Sequence, residues 1–178
     1  MTDLVKTELF GKAIQANFPN GFIDASELRQ VPDTQEVYLS PNSDDSIIIE
    51  ILQRVSASDS VDAARYHFEA IAHDNDAESF FVDEVNEIPY NRDEIPSIII
   101  LSGRQGVKKF NRTSVDDVRI FVALYRLKEK SVDLVLSLNF PVSTRNGVIR
   151  TEEECNTAKE MFLSIATSLH VVDFGLFV

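Results

Sequence analysis

Two short runs of the chain are apolar on both faces of the strand that each would form. One run covers residues 47–52 and reads Ile-Ile-Ile-Glu-Ile-Leu, and the other covers residues 98–101 and reads Ile-Ile-Ile-Leu. A strand with one face in water alternates apolar and polar residues, whereas a run that is apolar throughout indicates a central strand covered on both sides. The rest of the chain must therefore supply two covering layers.

Two amphipathic segments can supply these layers. Apolar side chains recur at helical spacing over residues 58–74 and again over residues 151–169. Thr151 and Glu154 have the spacing of a capping box, which predicts the start of the second helix. The single cysteine, Cys155, falls on the apolar stripe of that helix, so we expect a buried thiol and no internal disulfide. His67 lies beside the first stripe and is expected to be a structural histidine with satisfied hydrogen bonds.

The remaining segments favour strands joined by short turns. Residues 115–127 and 132–140 predict a hairpin, because apolar residues alternate strictly along the second of them. A strand interrupted at Gly11 is predicted over residues 9–18, and residues 1–8 are expected to be flexible. Prolines bracket residues 89–96, which predicts a loop there.

Short turns between successive strands favour antiparallel pairing. We therefore predict an α+β fold built on a central, mostly antiparallel sheet of about six strands. Helices flank both faces of this sheet, forming an α/β/α sandwich. The length of 178 residues fits a single domain over residues 1–178.

The charge of the chain bounds its partners. The formal net charge is −12, which favours basic protein partners or high solubility and repels nucleic acid and anionic membranes. The one basic run, residues 108–112, is too short to indicate a nucleic-acid site on such an acidic chain. No stretch approaches the roughly 18 apolar residues of a membrane span. We expect a monomer without a nucleic-acid partner and without membrane insertion.

No residue pattern typical of an enzyme or a metalloprotein stands out. Residues 74–78 are acidic but lack the spacing and central glycine of a calcium loop. Residues 103–106 contain two glycines but are not followed by the Gly-Lys-Ser/Thr sequence of a phosphate loop. We therefore expect no catalytic residue, no metal site and no cofactor.

The segment from residue 17 to residue 37 carries the strongest functional signal. Four acids, Asp24, Glu27, Asp33 and Glu36, stand against one base, Arg29, within thirteen residues. Two carboxylates can act as acid and base only when burial or close pairing separates their pKa values, which a turn-rich segment does not obviously provide. A docking surface for a basic partner fits better. Turn and helix-capping roles also explain acids in turns, so residue types alone leave both interpretations open.

The same segment resembles a known family. Residues 22–37 read Phe-Ile-Asp-Ala-Ser-Glu-Leu-Arg-Gln-Val-Pro-Asp-Thr-Gln-Glu-Val and look like the signature of the Mog family. Members of this family are eukaryotic Ran-binding proteins, also called Ran guanine nucleotide release factors. Further similar stretches lie at residues 9–11, 64–69, 123–127, 133–136, 170–173 and 176–177. The resemblance runs from about Leu9 to the C-terminus.

The resemblance implies an α/β/α sandwich similar to that of the photosystem PsbP proteins. It also implies a non-catalytic regulator in the nucleus and cytoplasm that binds the small GTPase Ran, promotes release of its guanine nucleotide and supports nuclear protein import. Other proteins of the Ran pathway are further expected partners. The resemblance assigns Asp33 and Glu36 to Ran binding, and we expect Thr34 and Gln35, which lie between them, to belong to the same site. Asp24 and Glu27 are expected to contribute less, because helix capping explains these two acids without a partner.

An acidic protein–protein adaptor is the alternative function. Such an adaptor would use the same acidic surface to recognise a channel or a transport receptor without affecting nucleotide. Accelerated loss of labelled GTP from Ran distinguishes a nucleotide release factor from such an adaptor.

Overall fold

A computed structural model describes residues 2–108, 115–143 and 147–178. Within these ranges the strands are β1 (Leu4–Leu9), β2 (Ile14–Pro19), β3 (Ile23–Asp24), β4 (Gln35–Leu39), β5 (Ser46–Gln53), β6 (Ala77–Arg92), β7 (Ile95–Lys108), β8 (Val115–Leu127), β9 (Val132–Pro141) and β10 (His170–Val171). The helices are α1 (Ser60–Asp74) and α2 (Glu152–Ser168). Apart from Lys108, the basic run at 108–112 lies outside the described residues.

The large sheet has seven strands in the order β3-β4-β5-β9-β8-β7-β6. Every neighbouring pair in it is antiparallel, which confirms the predicted pairing. Strands β5 and β7 contain the two runs that are apolar on both faces, with Glu50 the exception in β5, and both strands lie inside the sheet with a partner on each side. The predicted hairpin is β8–β9, with Leu127 paired to Val132 beside its turn. The sheet has one strand more than the predicted six.

A second, three-stranded sheet has the order β1-β2-β10 and corrects two predictions. Residues 4–8 are not a flexible tail, because β1 pairs with β2 along its whole length. The predicted interruption at Gly11 is a reversal of the chain between two strands. Phe10, Gly11 and Lys12 have φ values of 50°, 61° and 75°, and three successive residues in this region turn the backbone back on itself.

The buried apolar residues form two clusters, and both use strand β8. Successive side chains of a strand point to opposite faces of the sheet, so neighbouring residues of β8 belong to different clusters. The first cluster contains Phe121, Ala123 and Tyr125 of β8 together with Phe162 and Ile165 of α2. The second contains Ile120, Val122 and Leu124 of β8 together with Ala64 and Phe68 of α1.

Both helices begin at side-chain caps. Helix α1 starts at Ser60, two residues later than the predicted segment, and Asp59 accepts a hydrogen bond from the Val61 amide at 2.8 Å. Helix α2 starts after Thr151 with the predicted capping box. Cys155 is 5% exposed, which confirms the predicted buried thiol, and burial raises its pKa. Among the described residues, neither helix has the length and apolar character to cross a bilayer.

A buried polar network joins α1 to the β8–β9 hairpin. His67 Nε2 lies 2.8 Å from Asp133 Oδ2, and Arg126 Nε donates to Asp133 Oδ1 at 3.0 Å. The same Arg126 donates to the carbonyls of Val55 and Ala57, each at 2.7 Å. Burial alone would raise the pKa of Asp133, but the hydrogen bonds from His67, Val55 and Arg126 lower it. His67 is therefore the satisfied structural histidine that the sequence predicted.

Candidate functional site

The acidic segment begins with a short strand and a 3₁₀ turn. Asp24 ends β3 and its carboxylate accepts a hydrogen bond from the Ser26 amide at 2.9 Å, so Asp24 has the capping role that its position suggested. Ala25 is fully buried and anchors the turn, while Glu27 is exposed. Leu28 follows with 68% of its surface exposed. An apolar side chain thus lies in water beside the acids.

Strand β4 brings Glu36 to the same side of the sheet as Tyr38, because residues two apart in a strand share a face. Asp24 is the residue of β3 paired with Tyr38 across the strand junction. Burial raises the pKa of Tyr38 to about 12, and the negative charges of Glu36, Asp24 and Glu27 add to this effect. The phenol therefore stays protonated at neutral pH and remains a hydrogen-bond donor. The charges of three of the four acids of the segment thus act on one tyrosine.

The ring of Tyr38 packs against the small, three-stranded sheet. Phe18 of β2 meets it edge to face with ring centroids 4.9 Å apart. Such aromatic pairs contribute about 0.5–1.5 kcal/mol beyond the area they bury. Within the described residues, the Tyr38 hydroxyl has no hydrogen-bond partner, so it is available to a ligand or a partner protein.

Glu36 also has a structural contact. Its Oε1 accepts a hydrogen bond from the Phe10 amide at 2.7 Å and so ties the β1–β2 turn to β4. The pKa of Glu36 is raised, mainly by burial and also by the negative charge of Asp24. The hydrogen bond from the Phe10 amide lowers this pKa but does not cancel the increase. The ionised carboxylate is therefore held in a surrounding that disfavours its charge. Among the described residues, Oε2 has no partner.

Gln35 points to the other side of β4. It pairs with Glu50 across the β4–β5 ladder, and its Nε2 donates to Glu50 Oε1 at 2.5 Å. Both side chains line a cleft of about 790 Å³ beside α1, together with Tyr66 and Asp74. Burial raises the pKa of Glu50, and the charge of Asp74 raises it further. Gln35 and Glu36 therefore serve different surfaces of the molecule.

Asp33 and Thr34 lie in the turn before β4, and both are exposed. Backbone hydrogen bonds fix this turn: the Gln35 amide donates to Pro32 and the Ile51 amide donates to Thr34, each at 2.9 Å. Asp33 is not among the carboxylates that shift the pKa of Tyr38. The structure thus gathers Asp24, Glu27 and Glu36 into one acidic surface and leaves Asp33 in the adjoining turn.

Sequence reasoning missed Tyr38. The signal for it was the strand periodicity, which puts residues 36 and 38 on one face once β4 is assigned. Its pairing with Asp24 could not be read from the sequence, because it depends on the register of β3 against β4. Across the described ranges, no three His, Cys, Asp or Glu side chains are placed to hold a metal ion.

Comparisons with known proteins agree with the residue pattern. The family described as "Ran-interacting Mog1 protein" matches residues 7–141. The Ran guanine nucleotide release factor of Danio rerio is 36% identical over 178 residues, which cover 95% of this chain and 97% of that protein. That of Homo sapiens is 34% identical and covers 95% of this chain and 94% of its own. The crystal structure of the Saccharomyces cerevisiae Ran-binding protein Mog1p superposes with a TM-score of 0.75 at 28% identity, over the full length of both chains. The chain belongs to the Mog1 family.

Proposed function

We propose that this protein binds the small GTPase Ran, promotes release of its guanine nucleotide and supports nuclear protein import. The names of its relatives support this function, since they are called Ran guanine nucleotide release factors and nuclear import proteins. The structural observation that carries the proposal is the acidic surface around Tyr38, in which β3 pairs Asp24 with Tyr38, β4 puts Glu36 on the same side, and Glu27 adds a third charge.

This acidic surface suits a lysine or arginine side chain of the partner. Ionised carboxylates form charge-assisted hydrogen bonds with such groups, and these are about twice as strong as neutral ones. Strand β4 and the hydrogen bond from Phe10 hold Glu36 in place before binding, which lowers the ordering cost of association. Leu28, exposed beside the acids, supplies an apolar contact next to the charged ones.

Asp33 and Thr34 extend the proposed Ran-binding surface along the turn that precedes β4. Asp33 is exposed, and its turn is fixed by backbone hydrogen bonds, so its charge is displayed with little loss of freedom on binding. Gln35 supports the segment from the opposite side of β4 through its hydrogen bond to Glu50.

Nucleotide release then follows from linkage. A protein that binds nucleotide-free Ran more tightly than nucleotide-bound Ran must weaken nucleotide binding by the same factor. Each tenfold weakening requires about 1.4 kcal/mol of differential affinity. A few charge-assisted contacts that exist in only one state of Ran supply that amount.

We also propose that the two helices cover opposite faces of the seven-stranded sheet, in the three-layer arrangement of the PsbP proteins. The alternation of β8 side chains between the clusters of α1 and α2 supports this arrangement. The protein acts as a single-domain monomer in the nucleus and cytoplasm, where other Ran-pathway proteins are further partners.

A pull-down with Ran in its GTP-bound, GDP-bound and nucleotide-free forms tests the proposed function. We expect the strongest capture of nucleotide-free Ran and accelerated loss of labelled GTP from the loaded form. Capture that is equal for all three forms, with no effect on nucleotide loss, would instead support the adaptor function. No capture of any form would exclude Ran as the partner.

A further inference from the structure

A second cleft, of about 400 Å³, lies at the end of the β8–β9 hairpin and carries basic residues on this acidic protein. It is bounded by the start of β7, the end of β8 and the 3₁₀ turn Lys128–Lys130. Arg54, Lys128 and Lys130 all line it. We call these three residues and the space between them the basic cleft.

Backbone hydrogen bonds bring the three cations together. The Arg54 amide donates to the Ser131 carbonyl at 2.9 Å, and the Ser131 amide donates to the Lys128 carbonyl at 3.2 Å. Ser131 has a φ of 54°, a conformation that closes the turn and keeps both lysines beside Arg54. Arg126 pairs with Asp133 and also donates hydrogen bonds to the carbonyls of residues 55 and 57, which follow Arg54 in the chain. The position of Arg54 is therefore set by the buried network and by the hairpin.

These cations lack partners within the protein. In the described part of the chain, no carboxylate lies within 4.0 Å of Arg54, Lys128 or Lys130, although the other arginine of the cleft, Arg126, is paired with Asp133. The Nε atom of Arg54 is buried without a hydrogen-bond partner. A donor left without an acceptor favours a bound group that brings acceptor atoms to this arginine, such as an anion.

The acids at the cleft do not neutralise it. Asp93 is fully engaged, since it accepts hydrogen bonds from the Val171 amide at 2.8 Å and from Tyr90 at 3.1 Å and contacts His170 at 2.9 Å. Glu94 and Glu129 line the cleft at its exposed side. Three cations without a carboxylate partner therefore stand against two exposed carboxylates, and of the three cationic residues Arg54 is half-buried while both lysines are exposed.

The lining also has an apolar side. Ile95, Leu124 and Leu127 are buried residues that border the cleft, and the half-buried Phe174 also lines it. The volume lies within the range of small-ligand sites, about 300–1,000 Å³. The occupant that matches this lining carries an anionic group attached to an apolar body.

We propose that the basic cleft binds the carboxylate end of a partner peptide, with an apolar residue against Phe174 and the carboxylate among Arg54, Lys128 and Lys130. The guanidinium of arginine matches the geometry of a carboxylate, which it binds through two parallel hydrogen bonds. A net charge of −12 repels a polyanion such as nucleic acid much more strongly than a peptide with one or two charges.

Fluorescence anisotropy with a labelled hexapeptide, Gly-Ser-Leu-Phe-Glu-Leu with a free C-terminal carboxylate, tests this site in the whole protein. We expect saturable binding that weakens at least tenfold in the double variant Lys128→Gln, Lys130→Gln. Both lysines are exposed, so this variant retains the fold, and circular dichroism verifies that. The matched control Lys6→Gln, Lys12→Gln removes the same charge from the small sheet and should bind within twofold of the parent.

A neutral peptide, with glutamine in place of glutamate and an amidated C-terminus, should bind at least tenfold more weakly than the charged one. Arg54→Gln should weaken the charged peptide further. Three results would overturn the proposal: no saturable binding by the parent, equal affinity in the cleft and control variants, or equal affinity for the charged and neutral peptides. Tighter binding of a single-stranded oligonucleotide than of the peptide would assign the cleft to a different partner. None of these residues belongs to the proposed Ran-binding surface, so the outcome is independent of Ran.

Discussion

Replacement of Glu36 by glutamine separates the proposed binding role of this residue from its structural role. The glutamine side chain has the same shape and retains an oxygen that accepts the hydrogen bond from the Phe10 amide. It removes only the charge. Burial raises the pKa of Glu36 above its ordinary 4.5, so the ionised carboxylate is less stable in the folded protein than in the unfolded chain. Glu36→Gln should therefore leave the stability at pH 7 unchanged or raise it.

The raised pKa also determines how the contribution of Glu36 to folding stability changes with pH. Between pH 4.5 and the raised pKa, the folded state holds more protons on Glu36 than the unfolded state does. The contribution of Glu36 to stability therefore falls as the pH rises through this window. The stability of the glutamine variant should lack this pH-dependent contribution.

Glu36→Ala is the contrasting variant. It removes the acceptor and leaves the Phe10 amide, which lies in the turn between β1 and β2, without its partner. A fully buried amide without a partner costs about 1–3 kcal/mol, and the half-buried Phe10 amide should fall toward the lower end of that range. For a chain of this size, a loss of that order lowers the melting temperature by about 2–4 °C per kcal/mol.

The two variants should therefore differ in stability but agree in function. We expect both to weaken Ran binding about tenfold, which corresponds to about 1.4 kcal/mol, since each lacks the charge. Thermal denaturation from pH 4 to pH 8 and titration calorimetry with Ran measure the two effects. A glutamine variant that binds Ran like the parent, or that loses as much stability as the alanine variant, would refute this assignment of the two roles.

Three further substitutions test other parts of the account. Asp133→Asn should lower the free energy of unfolding by about 3–5 kcal/mol, because it leaves Arg126 buried without a counter-charge. The stabilisation from Asp133 should be complete above its ordinary pKa of 3.8 and should be lost as the pH falls through its lowered pKa in the folded protein. Denaturant titration of the parent and the variant across this pH range measures both the loss of stability and its pH dependence. Cys155→Ala should cost on the order of 1 kcal/mol in the same titration and leave Ran binding unchanged, whereas altered binding with the fold intact would give the thiol a functional role. Leu28→Ser should leave the melting temperature within about 1–2 °C of that of the parent, because the side chain is exposed. The same variant should weaken Ran binding several-fold, and an unchanged affinity would show that Leu28 is not part of the interface.

Patterns that depend on local periodicity predicted the fold well. The strict alternation over residues 132–140 gave the β8–β9 hairpin, and the spacing of Thr151 and Glu154 gave the start of α2. Both signals arise within a few residues of the chain, so tertiary contacts did not override them. The two runs with apolar residues on both faces likewise identified β5 and β7 as interior strands, because layers that cover both faces of a sheet favour that composition.

Turns with unusual backbone conformations were the main source of error in the fold. Phe10 and Lys12 adopt positive φ although neither residue type favours it, so the β1–β2 hairpin left little trace in the sequence. The predicted loop at residues 89–96 is mostly strand, with a tight reversal at Asp93 and Glu94. Pro89 is tolerated there because β6 is an edge strand, where proline need not donate to a ladder.

The candidate site was only partly predictable, because it depends on strand register. The sequence identified the acidic residues but treated residues 33–36 as one surface. Strand geometry separates them, since Gln35 faces Glu50 and Glu36 faces Tyr38. The sequence left Asp24 and Ser26 as alternative caps of the short turn, and the structure shows Asp24 in that role, yet capping does not remove its charge from the surface around Tyr38. Asp24 therefore combines an observed capping role with its proposed role in binding.

Release of labelled GTP from Ran, followed by fluorescence, tests the central claim most directly. The variant Asp33→Lys, Glu36→Gln changes the charge of the proposed surface by +3 while retaining the acceptor for Phe10. The control Glu69→Lys, Glu160→Gln makes the same change at exposed positions on the two helices. We predict rapid release with the parent and the control, and release near the uncatalysed rate with the surface variant. A folded surface variant that released nucleotide as fast as the parent would contradict the account, because Ran would then bind elsewhere on the molecule.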